Sequence, residues 1–180
     1  MPRHMLLTIS GADRRGIVRD VAGAMAHLEI NVEDSSMTAL RGAFTIMMIV
    51  RLPEGLGIAS LKAALADLEQ RTGLTVHARP LDAEEAARDA PGPDCVVTVT
   101  GGDRPGIVHA VAEAIADGNG SIVDLSTSTV RLDEDSTEEH YIMALEVACD
   151  DCAGLKRRLG PVADALGVDI EVIAMEEELL

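Results

Sequence analysis

The 180-residue sequence predicts an α+β protein built from two βαββαβ domains, each a four-stranded antiparallel sheet with two helices on one face. Three observations carry the prediction. The chain repeats itself, each copy shows strand and helix periodicities in the same order, and a stretch of linker composition separates the copies.

The repeat is the strongest of these. Residues 7–36 read LTISGADRRGIVRDVAGAMAHLEINVEDSS, and residues 97–126 read VTVTGGDRPGIVHAVAEAIADGNGSIVDLS. At a constant offset of 90, Thr8, Gly11, Asp13, Arg14, Gly16, Ile17 and Val18 recur unchanged, as do Val21, Ala22, Ala24, Ala26, Asp34 and Ser36. Phe44 then aligns with Tyr141 at an offset of 97, and Leu61-Lys62 with Leu155-Lys156 at 94. The change to 97 places a seven-residue acidic insertion at Asp133 to Glu139. Between the copies, Asp82 to Pro93 is rich in Ala, Asp, Glu and Pro, a linker composition. The expected organisation is a first domain over 1–81, a linker over 82–93, a second domain over 94–175 and an acidic tail over 176–180.

The elements follow in order. Met5 to Ser10 and Cys95 to Thr100 are short β-rich runs that stop at glycine. Ile17, Val18, Val21, Ala22 and Met25 keep helical spacing, as do their counterparts from Ile107 to Ile115. Asp13 and Asp103 are placed to cap these helices, with Pro105 tolerated in the first turn. An extended segment from Asn31 to Leu40 turns at Arg41-Gly42 into the apolar run Ala43 to Leu52. Leu61, Leu65 and Leu68 mark a second helix, ended by Gly73 before a strand from Leu74 to Pro80. Right-handed crossovers put both helices on one face of a ferredoxin-like sheet of order 4-1-3-2. The loop between the first strand and first helix then shares one end of the sheet with the hairpin between strands two and three.

Composition bounds the function. The net charge of −16 repels phosphate backbones and anionic membrane, so neither nucleic acid nor membrane is an expected partner. No apolar run is long enough to span a bilayer, the N-terminus lacks a signal-peptide pattern, and three cysteines fit a reducing cytoplasm. Phe44 and Tyr141 are the only aromatic residues, so the cores must be aliphatic. Units of this size bury a modest share of their surface, and packing of the halves or homodimerisation is expected.

Function rests on Gly11-Ala12-Asp13-Arg14-Arg15-Gly16, running into Ile17, and on Gly101-Gly-Asp103-Arg-Pro-Gly106. Each joins a strand to a helix N-terminus, where unpaired N–H groups and the helix dipole favour a ligand carboxylate. Small residues allow close approach, and Asp accepts hydrogen bonds from an α-amino group. Helix-start chemistry alone also explains an Asp after a glycine turn. Neither a phosphate loop nor a dinucleotide fingerprint is present.

The repeats resemble ACT domains, and Gly-x-Asp-Arg-x-Gly-Ile-Val is similar to the signature between the first strand and helix of that superfamily. Two copies without a catalytic domain most resemble the glycine cleavage system transcriptional repressor group. Formyltetrahydrofolate deformylases open with the same signature but need a further catalytic domain. The resemblance implies a small-molecule site, often for an amino acid, at an interface between two such domains. It is formed by the loop of one domain and an Asn at the start of the second strand of its partner. Asn31 matches that Asn, whereas the second repeat has Ser121 there and Asn119 two residues earlier. Asp13 and Asp103 stand where some serine-sensing relatives carry Asn.

The expectation is therefore a non-catalytic, amino-acid-sensing regulatory protein without a cofactor, acting through a protein partner. That partner is a transcription regulator of glycine metabolism or an amino-acid metabolic enzyme that the chain serves as an accessory subunit. Phe44 and Tyr141 are expected within about 12 Å of their glycine loops, three to four residues of strand, each helping to form the pocket floor; core filling beneath the helices is the alternative. Cys149-Asp-Asp-Cys152 has redox or metal-ligand spacing, and the topology brings Cys95 toward it. The reading taken is small core residues and no metal centre, because no fourth ligand is evident and the first repeat lacks these cysteines. The acidic insertion reads as a solvated hairpin tip, Glu29 and Glu33 as surface groups, and the histidines as scattered.

Overall fold

A computed structural model describes residues 3–89, 91–131 and 139–175. The chain divides into two compact units, residues 1–88 and 89–180. The first contains β1 (Arg3–Ala12), α1 (Ile17–His27), β2 (Asn31–Leu40), β3 (Ala43–Leu52), α2 (Ile58–Thr72), β4 (Thr75–Leu81) and a short α3 (Ala83–Ala86). The second contains β5 (Cys95–Gly102), α4 (Ile107–Asp117), β6 (Ser121–Arg131), β7 (Glu139–Ala148), α5 (Cys152–Leu166) and β8 (Val168–Ala174). The sheets have the orders β2-β3-β1-β4 and β6-β7-β5-β8, antiparallel throughout, which is the expected 4-1-3-2 arrangement twice.

Alternation along the central strands decides what is buried. Leu7 and Ile9 of β1 are fully enclosed, while Leu6, Thr8 and Ser10 face the other side of the sheet. Ile17, Val21 and Met25 of α1, spaced four apart, close over the inner face with Leu61, Leu65 and Leu68 of α2. The second unit repeats this plan with Val97 and Val99 beneath Ile107, Val111 and Ile115. Burial of each aliphatic side chain contributes about 1.5–3 kcal/mol, so the cores depend on many modest terms.

Two differences from the sequence expectation concern helix ends. Asp13 and Asp103 do not cap their helices: the capping positions are Gly16 and Gly106, with φ of 83° and 98° and no side-chain cap. A left-handed residue there starts each helix three residues beyond the aspartate's neighbour Arg, too late for the Asp carboxylate to serve as cap. Asp13 instead donates its backbone N–H to the Gly42 carbonyl at 2.8 Å, which ties the loop to the β2–β3 hairpin. Within the expected linker, Asp82 and Glu85 form a reciprocal capping box that nucleates α3, and Arg79 pairs with Glu85 at 2.8 Å. The acidic insertion and tail lie outside the described residues, apart from Glu139 at the start of β7.

Candidate functional site

Gly11 to Gly16 lies at one end of the first sheet, and every residue from Ala12 to Gly16 is exposed. Gly101 to Gly106 has the same position and exposure in the second unit. The glycines at the strand ends have a packing reason of their own. A Cβ on Gly11 would meet Leu74 Cδ2 at 2.7 Å, and one on Gly101 would meet Val168 Cγ1 at 2.9 Å. Their bare faces are thus filled from the last strand of the sheet. Gly16 and Gly106 are needed for their left-handed turns.

The electrostatics of the two loops differ. In the first, Arg14 donates to Asp20 Oδ2 at 2.8 Å, and Arg19 donates to Asp20 Oδ1 at 3.0 Å. Hydrogen bonds from Arg14 and then Arg19 hold the Asp20 carboxyl below the ordinary aspartate range. The second repeat has Arg104, Pro105, His109 and Ala110 at the positions of Arg14, Arg15, Arg19 and Asp20. Arg104 donates instead to the Leu166 carbonyl at 3.4 Å. The loop of repeat one is therefore the more basic, with Arg14 already oriented by a carboxylate. Sequence reasoning missed this, although Asp20 follows Arg19 directly.

Asn31 stands at the opposite end of the same sheet. It pairs with Arg51 of β3, whereas Gly11 pairs with Phe44. Seven residues of strand separate those registers, roughly 23 Å. Asn31 and Gly11–Gly16 therefore cannot meet around one ligand within a single domain. Asn31 lines an open depression of about 300 Å³ with Glu29, Arg51 and Glu54. Beside it Glu33 accepts from Arg51 at 2.6 Å and sits 3.1 Å from His4 Nε2. Ser121 holds the equivalent register in the second unit, opposite Ala148, so no arginine neighbours it across the strand.

Phe44 and Tyr141 are the immediate ladder partners of Gly11 and Gly101. Antiparallel partners lie about 5 Å apart, well inside the expected distance. Both rings belong to the cores beneath the helices, with 1% and 8% exposure. Burial, followed by the Asp103 charge, pushes the Tyr141 hydroxyl above the ordinary tyrosine range. Its hydroxyl hydrogen points to Met143 Sδ at 3.6 Å.

The edge strands complete the picture. β2 is exposed along its whole length, with Met37 and Leu40 presenting apolar surface. Among the described residues, no helix is long and apolar enough to cross a membrane.

Comparison with known proteins agrees with this architecture. The sequence profile of the ACT domain matches residues 3–79 and again 94–173. The UPF0237 protein YjhC of Lactococcus lactis is 35% identical over 72 residues, which cover 40% of this chain and 82% of that protein. A UPF0237 protein of Methanosarcina mazei is 32% identical over 81 residues, covering 44% of this chain and 88% of its own. Among solved structures, a protein of unknown role from Galdieria sulphuraria superposes with a TM-score of 0.78 at 27% identity, over 98% of this chain and 100% of its own. A proposed glycine cleavage system transcriptional repressor superposes with a TM-score of 0.72 at 19% identity, over 98% and 99% of the two chains. At that identity the second likeness concerns the fold alone.

Proposed function

We propose that this chain, which belongs to the ACT domain family and carries its domain twice, is a regulatory protein that senses a free amino acid. The observation that carries the proposal is the exposed Gly-x-Asp-Arg-x-Gly loop, present twice at the start of a helix in a family of regulatory domains. The helix N-terminus answers a carboxylate, and the Asp answers an ammonium. Gly11, Ala12, Asp13, Arg14, Gly16 and Ile17 form the principal surface, with Gly101, Asp103 and Gly106 as its second version. Asn31, and Ser121 in the other repeat, supply the complementary end. Because Asn31 and its own loop are about 23 Å apart, the loop and the Asn that close on one ligand come from two copies of the chain.

Regulation then passes through protein contact. A net charge of −16 opposes DNA binding, and the open, partly apolar edge of β2 suits pairing with another protein, a second copy included. The partner on this reading is a regulator of glycine metabolism. Docking on a metabolic enzyme as an accessory subunit is the second reading, favoured by the same exposed edge. The test is a thermal-shift screen of free amino acids on the full chain. A native-state ligand raises the midpoint with its occupancy, by about 2.7 kcal/mol of stability at a hundredfold excess over Kd. One or a few small amino acids raising the midpoint would support the proposal, and a flat screen would remove it.

A further inference from the structure

Cys95, Cys149 and Cys152 gather at one corner of the second unit. Cys95 opens β5, Cys149 follows the last residue of β7, and Cys152 begins α5. Cys95 Sγ lies 3.7 Å from Cys149 Sγ, which lies 3.6 Å from Cys152 Sγ, and all three sulfurs fall within 4.8 Å of one another. Tetrahedral zinc with bonds of about 2.3 Å places its sulfur ligands about 3.8 Å apart. Two of the three edges already have that length, and the third is no longer than 4.8 Å.

From this geometry we infer a zinc site formed by the three thiolates, with an oxygen donor in the fourth position. Asp94 supplies oxygens beside the cluster. Its Oδ2 accepts from the Cys149 backbone N–H at 2.7 Å, and its carbonyl accepts from Cys152 Sγ at 3.5 Å. The Asp94 carboxylate or a water takes the fourth place. Cys149 and Cys152 are partly exposed, so a cation reaches the cluster from solvent, while Cys95 is fully enclosed beneath it.

Core filling is the plain alternative. The equivalent corner of the first unit is filled by Met5 and Leu52, both buried and apolar. Those residues show that the fold does not need thiols there. Each bound S–H exchanges its proton to the buffer for a Zn–S bond, with no change in oxidation state.

The experiment uses the full chain, reduced and stripped with a chelator, titrated first with Co²⁺ and then with Zn²⁺. One equivalent of Co²⁺ should bring up intense tetrahedral visible bands and a near-ultraviolet thiolate charge-transfer band, and one equivalent of Zn²⁺ should abolish both. Cys152→Ser, at a partly exposed position, should keep the far-ultraviolet circular dichroism of the native chain. It should weaken zinc on the order of a hundredfold, at least the cost of losing a supporting outer-shell partner. Asn31→Ala should bind zinc as the native chain does, which separates this site from amino-acid sensing. No charge-transfer band, unchanged zinc affinity in Cys152→Ser and Cys95→Ser, or a Cys149–Cys152 disulfide formed in reducing buffer without zinc uptake would overturn the inference.

Discussion

Gly101 packs directly against Val168: a Cβ on the glycine would lie 2.9 Å from Val168 Cγ1 and 3.3 Å from its Cα. The same relationship joins Gly11 to Leu74, where the nearest atom is the tip of a longer side chain at 2.7 Å. Val168 is β-branched and stiff, so it yields less than Leu74. Gly101→Ala is therefore expected to destabilise its domain by about 1–3 kcal/mol, and Gly11→Ala by an amount nearer the lower bound. Urea unfolding of the two variants checks both the cost and the order. Native stability in Gly101→Ala would mean that this glycine serves ligand access alone.

Tyr141 offers a spectroscopic window on the second loop, because it is the single tyrosine in a chain without tryptophan. Burial first, and then the Asp103 charge, raise its ionisation above the ordinary tyrosine range. The folded state therefore holds this proton longer than the unfolded chain does. Its contribution to stability is complete below the ordinary tyrosine value and is lost as pH rises through the raised folded value. Alkaline ultraviolet titration should give a raised midpoint in the native chain. Asp103→Asn should lower that midpoint part of the way, leaving the effect of burial. An ordinary midpoint, or no response to Asp103→Asn, would contradict the placement of Asp103 beside the ring.

Asp20 reports on the first loop in the opposite sense. Arg14 and Arg19 hold its carboxyl below the ordinary range, the Arg14 hydrogen bond being the largest cause. Its stabilising contribution is present above the ordinary aspartate value and is lost as pH falls through the depressed folded value. Carbon-13 NMR titration should find Asp20 depressed in the native chain. Arg14→Ala and Arg19→Ala should each restore it part of the way. Surface pairs contribute little, so stability at neutral pH should hardly change in either variant. No recovery in Arg14→Ala would show that Arg14 is not held by Asp20.

Much of this was legible in local sequence pattern. Asn31–Leu40 and Ala43–Leu52 form strands over the ranges their alternation and the Arg41-Gly42 turn suggest, and Gly73 ends α2 as its left-handed C-cap. The strand order followed from connection handedness, and with it the approach of Cys95 to Cys149 and Cys152. Helix starts were not legible. The left-handed Gly16 and Gly106 move the caps away from Asp13 and Asp103, and glycine identity alone does not reveal a residue's φ. Contacts distant in sequence were also hidden. Nothing near Gly101 announces Val168, 67 residues on. Asp94 as an oxygen donor beside the thiols escaped notice because it belongs to the segment leading into β5.

Repeat one is the proposed principal amino-acid site, with Gly11–Gly16 of one copy of the chain closing on the ligand together with Asn31 of a second copy. Asn offers a donor and an acceptor where Ser121 offers one hydroxyl, and Asn31 has Arg51 across the strand where Ser121 has Ala148. Losing one hydrogen bond to a charged ligand group costs about 1.5–3 kcal/mol, or about tenfold or more in affinity. The direct measurement is calorimetric titration of the amino acid that raises the thermal midpoint into Asn31→Ala and Ser121→Ala. A tenfold or greater loss is expected in Asn31→Ala and little change in Ser121→Ala. Equal weakening in the two variants, or a loss confined to Ser121→Ala, would contradict it.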